Sequence, residues 1–147
     1  LSCIKRGVSA YQGDIESFLN QFDDDSFDHV ILSRTVDQLD EPDAIISKSL
    51  QVGKRVTVGF INNGFWVNRM NALFKGSRTI NDVYPNPWYK TLPSNSFSIC
   101  EFEAFCQEKN IKIEERICYS GDWKKKQTLF CNLLAGYAIY DLSLNDN

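Results

Sequence analysis

The alternation of apolar and polar positions divides this chain into short strands and amphipathic helices. The run Ser26-Phe27-Asp28-His29-Val30-Ile31-Leu32-Ser33 carries three consecutive apolar residues, Val30, Ile31 and Leu32. A strand covered by helices on both faces needs that pattern, so this run is expected at the centre of a sheet. Leu1 to Arg6 reads as a helix tail closed by Gly7, and Val8 to Gln12 as a short strand. Gly13-Asp14 then turns the chain into a helix with Ile15, Phe18, Leu19 and Phe22 on one face, Asp14 standing at its cap position. Pro42 and Gly53 bracket a second helix with Ile46 and Leu50 inward. Val56, Val58 and Phe60 alternate along a strand that stops at Asn62-Asn63-Gly64.

Trp66, Met70, Leu73 and Phe74 repeat at helical spacing and are expected to pack against a core, as the apolar face of a helix usually does. Ser98-Ile99-Cys100-Glu101 has the form of a capping box and opens a helix carrying Ile99, Phe102 and Cys106. Ile111, Ile113 and Ile117 alternate with charged residues, a strand with one wet face, and Tyr137 to Leu142 forms a last strand. Between Ser77 and Phe97 no period holds. The stretch Tyr84-Pro85-Asn86-Pro87-Trp88-Tyr89 reads either as a surface loop packing its aromatics or as a lid. Strands alternating with helices predict an α/β fold, a mostly parallel sheet with a late antiparallel hairpin. Ligands in such sheets bind at the carboxyl ends of strands. That rule gathers Gly13, Asp14, Ser33, Arg34, Asn62, Asn63 and Gly64 on one rim.

Composition narrows the chemistry. The chain has 147 residues, one domain's worth, and 43% are hydrophobic and 24% charged. No apolar run approaches a bilayer span, so no membrane role is expected. A net charge of −3 offers no general attraction to nucleic acid, and Lys124-Lys125-Lys126 is expected to be a solvated loop. Five cysteines without CxxC spacing argue against a zinc site or disulfide framework and suit a cytoplasmic protein. His29 is the single histidine and lies within a strand, where a nucleophile's partner base does not sit, so it is expected to be structural. Neither a dinucleotide fingerprint nor a phosphate loop is present. Asp14 is either a helix cap or an acceptor for an exocyclic amine such as that of adenine. The acids between Thr35 and Glu41 are expected in solvent.

The ordered set Arg6-Gly7-Val8, Gln12-Gly13-Asp14, Ser26 through Thr35, Val52-Gly53-Lys54-Arg55, Asn62, Gly64, Trp66, Trp88-Tyr89 with Thr91, Phe102-Glu103 and Asn132-Leu133-Leu134 resembles the MetW family of methionine biosynthesis. The resemblance runs in register over nearly the whole chain, departing at Ile61, Asn63, Phe65 and Asn95. It implies a Rossmann-like class I S-adenosylmethionine-dependent methyltransferase fold, residues 1–147 forming a single domain that holds the C-terminal three quarters of it. The first two strands of that fold are not in this sequence, roughly forty residues at about 30 per βαβ unit. It further implies that Gly13, Asp14 and the Ile15 backbone lie by the adenine of the cofactor, and that Ser33 and Arg34 face the cofactor or substrate pocket. Asn62, Gly64, Trp66, Trp88 and Tyr89 stand on the substrate or partner side.

The family is linked to acylation of homoserine beside an α/β-hydrolase-fold acyltransferase. The resemblance therefore implies a partner or regulator of a homoserine O-acyltransferase. The alternative is a small-molecule methyltransferase. S-adenosylmethionine is expected in the intact protein and weakly or not at all in this stretch alone. The Ser26–Ser33 strand, lacking a neighbour on one side, is expected to be covered by Val8 to Gln12 or by another chain, including self-association through an open sheet edge.

Overall fold

The computed structural model describes residues 6–7, 9–76, 88–90 and 94–145. Its helices are α1 (Ile15–Leu19), α2 (Pro42–Val52), α3 (Trp66–Lys75), α4 (Ile99–Glu108) and α5 (Cys131–Leu134). Its strands are β1 (Val30–Ser33), β2 (Val56–Ile61), β3 (Ile111–Tyr119), β4 (Lys126–Gln127) and β5 (Tyr137–Leu144), with short 3-10 turns at Val36–Gln38 and Trp88–Lys90. The expected helix tail before Gly7, Val8, the Tyr84 to Pro87 loop and Thr91 lie outside the described residues.

One sheet has the order β1-β2-β5-β3-β4. β1 and β2 are parallel, β5 lies antiparallel between β2 and β3, and β4 closes an antiparallel hairpin on β3. Three strands, β1, β2 and β3, therefore run in one direction, and the late reversal falls where the hairpin was expected. This is the expected α/β architecture, a mixed sheet with a late antiparallel hairpin.

One sheet face carries the core. Val56, Val58 and Phe60 of β2 and Ala138, Tyr140 and Leu142 of β5 are fully buried beneath Ile45, Ile46 and Leu50 of α2 and Ile99, Phe102 and Cys106 of α4. Phe60 lies 4.7 Å from both Phe97 and Phe102 by ring centroids, and Phe102 lies 4.9 Å from Tyr140. Each such side chain stabilises the fold by about 1.5–3 kcal/mol relative to exposure. The helix ends follow the sequence signals. Pro42 sits in the first turn of α2 and Gly53 at its C-cap, and Ser98 and Glu101 close a reciprocal capping box on α4. Gly76 ends α3 in the left-handed conformation, φ 57°.

Four expectations are corrected. The Ser26–Ser33 run is not central in the described sheet: β1 lies at its edge, lacking a neighbour on one side as expected, only Phe27 extends the pairing by a bridge to Gly53, and Ile31 is 68% exposed. Val30 and Leu32 do face the helices, so three apolar residues in a row reflect one buried face plus Ile31 pointing outward. Residues 9–12 join no strand; Tyr11 instead stacks on Phe18, centroids 4.4 Å apart, which ties the segment to α1 rather than to the sheet. The apolar stripe of α3 does not enter the core: none of its residues is buried. In β3 a bulge between Ile113 and Glu115 reverses the alternation. Arg116 and Cys118 thus face α4, while Ile117 turns to the opposite face beside Ile139.

Candidate functional site

At the carboxyl end of β1 the chain bends through Arg34, whose left-handed backbone (φ 54°) is uncommon for a residue with a side chain. Its N–H donates to the Gly59 carbonyl at 2.8 Å, so the bend is fixed to β2. The guanidinium lies over the Trp123 ring, 5.9 Å from the centroid. Trp123 stacks on Tyr137, centroids 4.5 Å apart and planes 15° off parallel. The Tyr137 hydroxyl reaches over Gly59, where a Cβ would collide with it, and is hydrogen-bonded to Ser33. Burial pushes the Tyr137 phenol upward, opposed by the Ser33 hydrogen bond and the Arg34 charge, with nearby Asp37 adding a smaller upward push. The phenol is therefore a neutral hydrogen-bonding group on this rim near pH 7. Asp37 is itself buried, contrary to the expectation that the acids of this connection are in solvent, because the 3-10 turn carries it inward beside Val36.

Asp14 caps α1: the Ser17 N–H donates to its Oδ2 at 2.8 Å, and that bond holds the carboxyl below the usual range. It remains exposed, as do Gly13 and, in part, Ile15. No hydrogen bond or ring contact among the described residues joins Asp14 to the Ser33–Arg34 rim.

Asn62 and Gly64 belong to a second, buried arrangement at the end of β2. Asn62 Nδ2 donates to the carbonyls of Ala135 at 2.7 Å and Asn132 at 3.0 Å. Its Oδ1 accepts the N–H of Gly64 at 2.9 Å and of Ile99 at 3.2 Å. One amide thus joins β2, α5 and the first turn of α4. Gly64 has no room for a side chain, since a Cβ would lie 2.9 Å from the Asn132 carbonyl oxygen. Trp66 opens α3 and is half exposed; Tyr89 is exposed in the second 3-10 turn, which also contains Trp88. Of the residues anticipated from sequence, then, Ser33 joins Arg34 and Asn62 joins Gly64. Trp123, Tyr137 and Asp37 were not anticipated. Trp123 beside Gly121-Asp122 was the available signal, an aromatic in a polar turn.

His29 Nε2 lies 2.6 Å from Thr57 Oγ1 and 3.8 Å from Asp141 Oδ1, on the sheet face opposite the helices. Cys106, Cys118 and Cys131 are buried thiols, and burial pushes Cys106 up to about 12, which makes it inert. No metal-binding cluster occurs among the described residues, and no described helix is long and apolar enough to cross a membrane.

The profile of the methionine biosynthesis protein MetW matches residues 1–142. The chain belongs to the MetW family. A curated relative, the bifunctional methionine biosynthesis protein MetXA/MetW of Rhodopirellula baltica, is 25% identical over 124 residues, 83% of this chain but only 20% of that protein. Among solved structures, a SAM-dependent methyltransferase from Thermotoga maritima superposes with a TM-score of 0.64 at 16% identity, over 96% of this chain and 66% of that one. A SAM-dependent methyltransferase from Archaeoglobus fulgidus gives 0.59 at 9% identity, over 94% and 68%. The [4+2]-cyclase SpnF gives 0.61 at 14% identity, over 99% and 61%. At these identities the likeness shows the fold alone. This MetW-family chain therefore spans a fifth of its curated relative and about two thirds of the structures it resembles. A cyclase among them illustrates that the fold does not determine the reaction.

Proposed function

We propose that this chain acts with a homoserine O-acyltransferase as its MetW-type partner or regulator, at the acylation that commits homoserine to methionine. The observation that carries this reading is the R. baltica relative, in which MetXA and MetW form one bifunctional polypeptide and the part matched here is 20% of the length. Joining two proteins in one chain raises their effective concentration for each other, which rewards a pair that works in contact. The chain's own histidine is not arranged as the base of an acyl transfer. His29, the single histidine, bonds Thr57 in the sheet, and no serine or cysteine is hydrogen-bonded to it. The test is the initial rate of homoserine acylation by the acyltransferase of the same organism, with and without this protein. A several-fold change together with co-purification is expected; no binding and no rate change would sink the proposal.

A second reading, a methyltransferase acting on a small molecule, is favoured by the SAM-dependent proteins that share the fold. S-adenosylmethionine supplies an electrophilic methyl group when bound. Gly13, Asp14 and the Ile15 backbone would hold its adenine end: the exposed Asp14 carboxylate has acceptor capacity beyond the Ser17 bond for an exocyclic amine. Ser33 and Arg34 would face the rest of the pocket, and Trp66, Trp88 and Tyr89 the acceptor or partner side. Residues 1–147 alone are expected to bind the cofactor weakly or not at all. Titration calorimetry giving micromolar affinity would contradict that expectation, and methyl transfer by the intact protein would favour this second reading over the first.

A further inference from the structure

α3 presents a face that the other described residues do not cover. Trp66, Met70, Leu73 and Phe74 are 49%, 40%, 75% and 73% exposed. Offsets of zero, four, seven and eight put them on one side of the helix, a period that normally marks a core-facing stripe. The helix is held at its first turn by polar bonds instead: Arg69 Nε donates to the Gly64 carbonyl at 2.6 Å and Asn68 Nδ2 to the Asn62 carbonyl at 3.3 Å. A helix anchored at one end with its apolar side in water is a presented surface.

A second apolar ridge adjoins it. Leu129, Phe130, Leu133 and Leu134 are 68%, 77%, 42% and 37% exposed. Phe130 holds a left-handed backbone (φ 49°) at the cap of α5, a conformation costly for an aromatic residue that here keeps its ring in solvent. Arg69 lies three residues after Trp66 and four before Leu73, on the edge of the α3 stripe. It also lines a 330 Å³ cleft with Arg116, Phe130 and Leu133. The two ridges are thus continuous through Arg69. Arg116 is paired with Glu103 at 2.7 Å, but Arg69 forms no ion pair among the described residues. Contiguous exposed apolar surface of this kind marks an interaction site, whereas scattered single residues need no explanation.

We infer that the α3 stripe, continued through Arg69 into the Leu129–Leu134 ridge, is the docking surface for the homoserine acyltransferase. The occupant is expected to offer apolar side chains to the two ridges and a carboxylate to Arg69. This rests on the proposed function, and the R. baltica fusion is what selects that enzyme rather than a second copy of this chain.

The test measures affinity of the intact protein for the acyltransferase of its own organism, by calorimetry, for three variants and a control. L73E with F74E, and separately F130E, replace side chains that are almost wholly in solvent, so folding should survive and is checked by circular dichroism. Each is expected to weaken binding at least tenfold, while K75E on the polar side of α3 leaves it unchanged. Binding by the parent that persists in both variants overturns the surface but leaves the functional reading standing. No binding by the parent overturns both. Sedimentation showing a dimer that L73E with F74E dissociates would assign the face to a second copy and overturn the inference as well.

Discussion

Asn62 offers the sharpest test of how this fold is held together. Asn62→Ala removes an amide that donates to the carbonyls of Ala135 and Asn132 and, at 3.4 Å, of Cys131, and accepts two N–H groups, of Gly64 and Ile99. Asn62 is fully buried, so water does not replace it without rearrangement. Leaving a buried polar group unsatisfied costs about 1–3 kcal/mol, and groups sharing one partner do not add fully. The Asn132 carbonyl, in a half-buried residue, can relax toward solvent, whereas the Gly64 and Ile99 N–H groups and the Ala135 carbonyl belong to buried residues. The expected loss is therefore about 3–4 kcal/mol, from three trapped groups whose costs do not add fully, plus a small cavity. That is a large share of a domain's stability.

Asn62→Asp keeps the size and reverses the donor. Its carboxylate would face the Ala135 and Asn132 carbonyls, so the folded state favours the protonated acid and raises its pKa above the unfolded value of about 3.9. A raised folded pKa means the folded state holds a proton that the unfolded state releases. The variant is then most stable below about pH 4 relative to its own neutral-pH stability, and loses stability as pH rises through the interval between the two pKa values. Urea denaturation followed by tryptophan fluorescence at several pH values measures both effects. Asn62→Ala within about 1 kcal/mol of the parent, or Asn62→Asp gaining stability as pH rises above 4, would refute the reasoning.

Gly59→Val places a side chain where the Tyr137 hydroxyl sits and against its Cζ, 3.3 Å from an ideal Cβ. The expected result is a loss of about 1–3 kcal/mol from overpacking and an altered near-ultraviolet signal as Tyr137 leaves Trp123. The capping box of α4 is pH-dependent: Ser98 donates its hydroxyl and its N–H to Glu101 at 2.8 Å each, which holds that carboxyl below its ordinary value. Its contribution is present above about pH 4.3, the unfolded value, and is lost as pH falls through the folded value, so Glu101→Gln should flatten the acid limb of the stability curve. Ile31→Lys puts a charge on the exposed β1 edge and is expected to reduce any self-association seen by sedimentation, without loss of stability because Ile31 is 68% exposed.

What was legible in the sequence is what local chemistry decides. Pro42, Gly53, Ser98 and Glu101 mark the ends of α2 and α4, and Asp14 caps α1, because capping involves residues three or four apart. Strand order is not local, which is why Val30 to Leu32 suggested a central strand although β1 forms the edge. A helical period shows that α3 has an apolar side but not what covers it. One bulge in β3 was enough to put Ile117 on the face opposite Ile113. The rim's Tyr137, Trp123 and Arg34 meet only because β5 inserts between β2 and β3, a topological event with no signature in any of the three residues' neighbourhoods.

The two functional readings separate at Asp37. A methyltransferase whose acceptor must lose a proton needs a base near the carboxyl ends of the strands. Tyr137, its phenol pushed up by burial, does not ionise near neutrality. His29 precedes β1 and lies at the other end of that strand, beside Thr57. Asp37, buried and close enough to push the Tyr137 phenol upward, is a carboxylate beside this rim. Asp37→Asn preserves shape and removes the charge, so the Tyr137 ionisation should move down, as an ultraviolet titration would report. If the protein works through contact with the acyltransferase, the same variant keeps its effect on homoserine acylation, because the apolar ridges of α3 and Leu129–Leu134 are untouched. If acylation control is lost while the affinity for the acyltransferase is kept, the rim is part of the mechanism and contact alone does not explain it. Loss of methyl transfer with acylation control intact would place the chemistry of the second reading on Asp37.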